Sequence, residues 1–136
     1  MTHWLPAAIL SLLSFGFWGL FTKFAILHVD SKSALIFQTA GVLLVGLFIL
    51  GMMNFKPASD LKGIGFGLLT GIAYGLGCLF YFIAADKGKI TTVVTLTALY
   101  PLVTILLSYF LLREAVSAKQ CLGIALALFS IYLLSS

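Results

Sequence analysis

Residues 63–85 read GIGFGLLTGIAYGLGCLFYFIAA, a run of 23 residues without a charged side chain. At ~1.5 Å of rise per residue such a run makes a helix of about 35 Å, enough to cross a hydrocarbon core of ~30 Å. Backbone N–H and C=O groups in lipid must pair within their own segment, so the run reads as a transmembrane helix. Working outward, residues 1–22, 33–55, 90–112 and 120–136 are equally free of Asp, Glu, Lys and Arg. The pattern predicts five spans, at about 5–27, 34–53, 64–85, 92–112 and 118–134, the last being the shortest. The connections, about 28–32, 54–63, 86–91 and 113–117, leave no room for an extramembrane domain. One domain is therefore expected over 1–136, an all-α integral membrane bundle of five transmembrane helices.

Composition agrees. Of 136 residues 62% are hydrophobic and 9% charged, and the mean hydropathy is +1.17. A soluble domain is about half apolar and about a quarter charged, and a small one needs polar side chains over most of its surface. This excludes a soluble enzyme, a nucleic-acid module and a disordered chain. The net charge of +4, from eight Lys/Arg against four Asp/Glu, is scattered and forms no polyanion-binding patch. Cys78 and Cys121 both lie in apolar sequence, which favours buried free thiols over a disulfide. The first span lacks a basic leader, and its apolar run exceeds the ~7–15 residues of a signal core, so it reads as a retained helix.

Helix-start signals fit these boundaries. Ser117 and Gln120 have capping-box spacing, Asp60 and Ser31 are candidate caps for spans three and two, and Pro6 suits a first helical turn. With five spans the termini lie on opposite faces. Lys56, Lys62, Arg113 and Lys119 then oppose Lys23, Lys32, Lys87 and Lys89, four against four. An excess of Lys/Arg normally sets the cytoplasmic side. The tie allows either a fixed orientation set by a weak bias or insertion in both orientations followed by antiparallel pairing.

Span three carries Gly63, Gly67, Gly71 and Gly75, a ridge that lets another backbone approach closely. Beside it run Thr70, Tyr74, Cys78 and Tyr81. Span one shows Ser11, Ser14, Trp18 and Thr22 on one stripe, span four shows Thr97, Pro101, Thr104 and Ser108, and Gln38 stands almost alone in span two. Each hydroxyl could simply satisfy its own i−4 carbonyl. Taken together, Ser14, Trp18, Gln38, Thr70, Tyr74, Tyr81, Thr97, Thr104 and Ser108 are candidates to line a semi-polar cavity for a small amphipathic solute. Pro101 predicts a kink in span four that is either a hinge or a fixed bend. Lys23, late in span one, either snorkels to the interface or contacts an anionic group. No carboxylate lies in the middle of a span, His3 and His28 form no metal cluster, and no base accompanies the hydroxyls. Neither an enzyme, a metal site nor a cofactor is expected.

The run Leu99-Tyr100-Pro101 through Ser108, then Arg113-Glu114, then Gln120-Cys121-Leu122-Gly123, resembles the EamA-type repeat of the drug/metabolite transporter superfamily. Trp18-Gly19 followed by Lys23 is similar to that repeat's start. The similarity covers the whole chain as one repeat, whereas most members carry two in ten spans, so the chain looks like the five-span bacterial and archaeal branch. The resemblance implies a prokaryotic inner (plasma) membrane protein that moves small metabolites through a cavity between inverted halves. The missing half would come from a partner chain, as a homodimer or as a heterodimer with a homologous half. The four-span multidrug exporters are relatives too, but their first-helix Glu has no counterpart here, so proton-coupled drug export is not implied. The leading expectation is a transporter working as an antiparallel dimer. The alternative is a non-transporting membrane subunit or regulatory partner, which the glycine ridge would serve equally.

Overall fold

A computed structural model describes residues 4–113 and 117–135, with side chains as far as residue 133. The regular elements described are all helical: α1 (Leu5–Ile26), α2 (Ser31–Met52), α3 (Leu61–Lys87), α4 (Ile90–Thr97), α5 (Tyr100–Leu107), a wider π-type turn at Ser108–Leu112, and α6 (Ala118–Ser135). Four stretches are long and apolar enough to cross a membrane: α1, α2, α3 and the interrupted run Ile90–Leu112. The fifth apolar helix is shorter. The chain forms two compact units, residues 1–87 and 88–136.

Local chemistry explains most helix ends. Asp30, rather than the expected Ser31, is the N-cap of α2. Its carboxylate accepts from the Lys32 and Ser33 amides, both at 3.1 Å, and from the Ser33 hydroxyl. A carboxylate has more acceptor capacity than a hydroxyl and complements the positive end of the helix dipole, so the cap lies one residue earlier. Span two consequently starts three residues before the expected Ala34. Asp60 accepts from the Gly63 amide at 2.9 Å and caps α3. At α6 the capping box closes both ways: Ser117 N–H donates to Gln120 Oε1 at 2.8 Å, and Gln120 N–H donates to Ser117 Oγ at 3.3 Å. After α2, Asn54 and Phe55 take positive φ of 53° and 58°. Phe55 N–H then reaches back to the Leu50 carbonyl at 3.0 Å, satisfying one of the orphan acceptors at the helix end.

Packing in the first unit is confined to one end. Gly19 and Thr22 of α1, Ala34 of α2, and Cys78, Tyr81, Phe82 and Ala85 of α3 are buried. All lie in the halves of their helices nearest the α1–α2 turn. Around Ala34, Cys78 and Phe82 pack Trp18, Ala25, Ile26, Val29 and Leu35. Toward the other end no residue is buried, and a Cβ placed on Gly67, Gly71 or Gly75 would meet nothing within 4 Å. Large apolar side chains there, such as Phe48, Leu61 and Phe66, are exposed. In water this surface would be untenable; in a bilayer it is what lipid or another helix covers.

In the second unit the fourth span is not continuous. α4 stops at Thr97 and α5 starts at Tyr100, with Ala98 and Leu99 in a turn. Pro101 lacks the N–H that would bond the Thr97 carbonyl, and its ring crowds that same carbonyl. The break falls at the residues that this clash affects. The span ends in Arg113, whose left-handed φ of 54° closes the π-type turn through a bond from its N–H to the Ser108 carbonyl.

Candidate functional site

Three helices of the first unit bring a polar and aromatic cluster together where their packing begins. Trp18 Nε1–H donates to Gln38 Oε1 at 2.8 Å, joining α1 to α2. The Gln38 amide nitrogen lies 3.5 Å from the Tyr74 hydroxyl, a long donation toward α3. The Trp18 ring packs on Tyr81, with centroids 4.6 Å apart and planes tilted by 40°. Tyr81 is 6% exposed, and its hydroxyl has no hydrogen-bond partner among the described residues. A buried phenol without a partner is costly, so this atom marks a place where a donor or acceptor from elsewhere is stabilising. Trp18 and Gln38, with Ser14, Thr22 and Phe37, line a cavity of 370 Å³.

Beside the cluster, Lys23 Nζ donates to the Ala85 carbonyl at 3.0 Å. Lys23 stands in the last turn of α1 and Ala85 near the end of α3, so one ammonium meets the negative ends of two helix dipoles. Two of its three N–H donors remain for other acceptors.

Five hydroxyls of the expected stripes donate within their own helices. Ser14 bonds the Leu10 carbonyl, Thr22 that of Trp18, Thr70 that of Phe66, Thr97 that of Val93, and Thr104 that of Tyr100, the last at 3.4 Å. Their oxygens keep lone pairs, so each can still accept from a solute. In the second unit, Pro101 and Ser108 line a cavity of 440 Å³ against Gln120, Gly123 and Ala127 of α6, while Thr97 and Thr104 lie outside its wall. Glu114 and His3 fall outside the described residues. Sequence reading named Trp18, Gln38, Tyr74 and Tyr81 separately but did not foresee their contacts, nor the Lys23–Ala85 bond. Thr22 and Cys78 stood on the same stripes but were not selected. Their spacing from Trp18 and Tyr74, one helical turn in each case, was the available signal.

Apolar helices of membrane-crossing length, joined by short turns around a semi-polar cluster, define an α-helical membrane protein. The EamA-like transporter family profile matches residues 2–136, and the chain belongs to that family. It is an integral plasma-membrane protein of a transporter family. The uncharacterized protein MJ1333.1 of Methanocaldococcus jannaschii is 33% identical over 133 residues, covering 95% of this chain and 96% of that protein. The glucose uptake protein GlcU of Staphylococcus xylosus is 32% identical over 99 residues, covering 73% of this chain and 33% of GlcU. A probable glucose uptake protein GlcU of Staphylococcus aureus is 34% identical over 116 residues, covering 85% of this chain and 39% of that protein. The chain thus spans well under half the length of the GlcU relatives. No solved structure matches it.

Proposed function

We propose that two copies of this chain, each acting as one repeat over 1–136, form a transporter for a small uncharged polyhydroxylated solute of the sugar class. The observation that carries the reading is the Trp18–Gln38–Tyr74–Tyr81 cluster. It offers an aromatic face, a carboxamide and two phenols, but no carboxylate. Hydroxyl groups both donate and accept, as amides and phenols do, and the apolar face of a sugar ring packs on an aromatic plane. The names of the GlcU relatives point to the same solute class.

Pairing is supported by length. The GlcU relatives carry more than twice the aligned stretch, whereas MJ1333.1 aligns with this chain over 96% of its own length. The even Lys/Arg balance and the uncovered Gly67–Gly75 face suit an antiparallel second copy in the manner of inverted repeats. Within the first unit, Ser14 and Thr70 would extend the wall around this cluster, and the spare donors of Lys23 would attract any partial negative charge; within the second unit, Pro101 would serve as a hinge beside Thr97, Thr104 and Ser108. The solute crosses unmodified.

The test is flux of radiolabelled D-glucose into proteoliposomes holding only this chain. Saturable flux that falls at least about tenfold in Gln38→Ala is expected. Absence of flux for every sugar tried, with the protein correctly inserted, contradicts the reading and favours a non-transporting subunit.

A further inference from the structure

Four polar side chains stand on the wall of the 370 Å³ cavity of the first unit: Ser14, Trp18, Thr22 and Gln38. Their hydrogen bonds fix what each can still offer. The Ser14 hydroxyl donates to the Leu10 carbonyl at 2.8 Å, and the Thr22 hydroxyl to the Trp18 carbonyl at 2.9 Å. A hydroxyl has one proton, so toward a third group both oxygens accept and do not donate. Thr22 is only 3% exposed, whereas Ser14 is exposed, so Ser14 is the acceptor that a solute reaches. The Trp18 indole N–H is a donor with no acceptor capacity, and only the oxygen of a carboxamide can meet it. By taking Gln38 Oε1 at 2.8 Å it fixes which way round the amide sits. Gln38 Nε2 has two N–H groups, and its contact is the long reach of 3.5 Å to the Tyr74 hydroxyl. One N–H thus stays uncommitted among the described residues.

The geometry points to Trp18 as a positioning residue for solute specificity: by holding Gln38 Oε1 it presents an amide N–H to the solute, near a Ser14 oxygen that only accepts. The inference rests on the reading that the chain carries a polyhydroxylated solute, and adds to it the direction in which each hydrogen bond runs. Ser14 and Trp18 lie one turn apart on α1, ~6 Å along its axis, so donor and acceptor serve two different solute oxygens. One of these must accept from Gln38 and the other must donate to Ser14. Hydroxyl groups meet both demands; an ether oxygen meets only the first, because it carries no proton. With the indole gone, the amide is free to turn over and present its oxygen instead, and the distinction at that position is lost. The apolar remainder of the wall, including Phe21, Val29 and Phe37, suits the C–H face of a ring.

The test measures how D-glucose analogues inhibit flux of radiolabelled D-glucose into proteoliposomes holding the full chain. In each analogue one hydroxyl is replaced by hydrogen or by fluorine, which accepts weakly and has no proton to donate. At the carbon facing Gln38, the fluoro analogue is expected to inhibit better than the deoxy one. At the carbon facing Ser14, both are expected to be about tenfold weaker than D-glucose. Trp18→Phe is expected to erase the fluoro–deoxy difference at the first carbon. Ser14→Ala is expected to remove the tenfold penalty at the second and to leave the first unchanged. If Trp18→Phe lowers flux but keeps the analogue profile, Trp18 is merely structural; the inference is overturned and the transport reading stands. A wild-type protein that carries D-glucose, yet separates fluoro from deoxy analogues at no carbon, overturns it equally and needs no variant to insert. If the wild type carries no sugar at all, the transport reading itself fails.

Discussion

Trp18 holds the first unit together in two ways, through its ring on Tyr81 and its N–H on Gln38. Trp18→Phe keeps much of the ring contact and strands the Gln38 carbonyl oxygen. We expect a loss of about 1–2 kcal/mol in unfolding free energy in nanodiscs, much of it recovered in the double variant with Gln38→Leu, because both partners are then apolar. Lys23→Met retains the aliphatic stem and removes the donor to Ala85. Its expected cost is about 1–3 kcal/mol by the same measurement, since hydrogen bonds from charged groups exceed neutral ones. Asp30 behaves differently because it titrates. The Ser33 hydroxyl, then the Ser33 and Lys32 amides, hold its carboxyl below the usual 3.8. A lowered folded-state value means the contribution is complete above the ordinary value and is lost as pH falls through the lowered one. Asp30→Asn still caps the helix but does not ionise, so its stability should decline less between neutral pH and acid than that of the parent chain.

At the level of elements, four of the expected spans fall on stretches long and apolar enough to cross a membrane, while the fifth apolar helix is shorter. Asp60 and the Ser117–Gln120 box act as read, because a cap is a local event set by neighbours along the chain. The α2 cap moved to Asp30 because two adjacent candidates compete and the carboxylate binds more donors. The interruption at Ala98–Leu99 was legible only as a bend at Pro101, since a proline acts on the carbonyl four residues earlier rather than on itself. The cluster was less legible still. Stripes at helical spacing show which face a residue occupies, but the Trp18–Gln38 bond depends on how three helices meet. The glycine ridge carries its own prediction. Gly71→Leu adds a side chain where a Cβ meets nothing within 4 Å, so one copy should keep its helix content and gain up to about 1 kcal/mol from helix propensity. The paired species should be lost, as read by cross-linking in membranes.

For the whole molecule, the decisive fact is how little each chain buries. Packing gathers at one end of the first unit, while much of the apolar side-chain surface stays uncovered. Lipid can cover apolar side chains, whereas the Tyr81 hydroxyl is shut away among the packed helices with no partner among the described residues. In the proposed pairing, a second copy would cover part of that apolar surface and enclose the solute pathway. The most direct test reconstitutes fluorophore-labelled chain into vesicles at low density, counts copies by photobleaching, and follows D-glucose entry vesicle by vesicle. Flux is predicted in vesicles with two or more copies and absent from those with one; flux at full rate through a single copy would contradict the paired-half account.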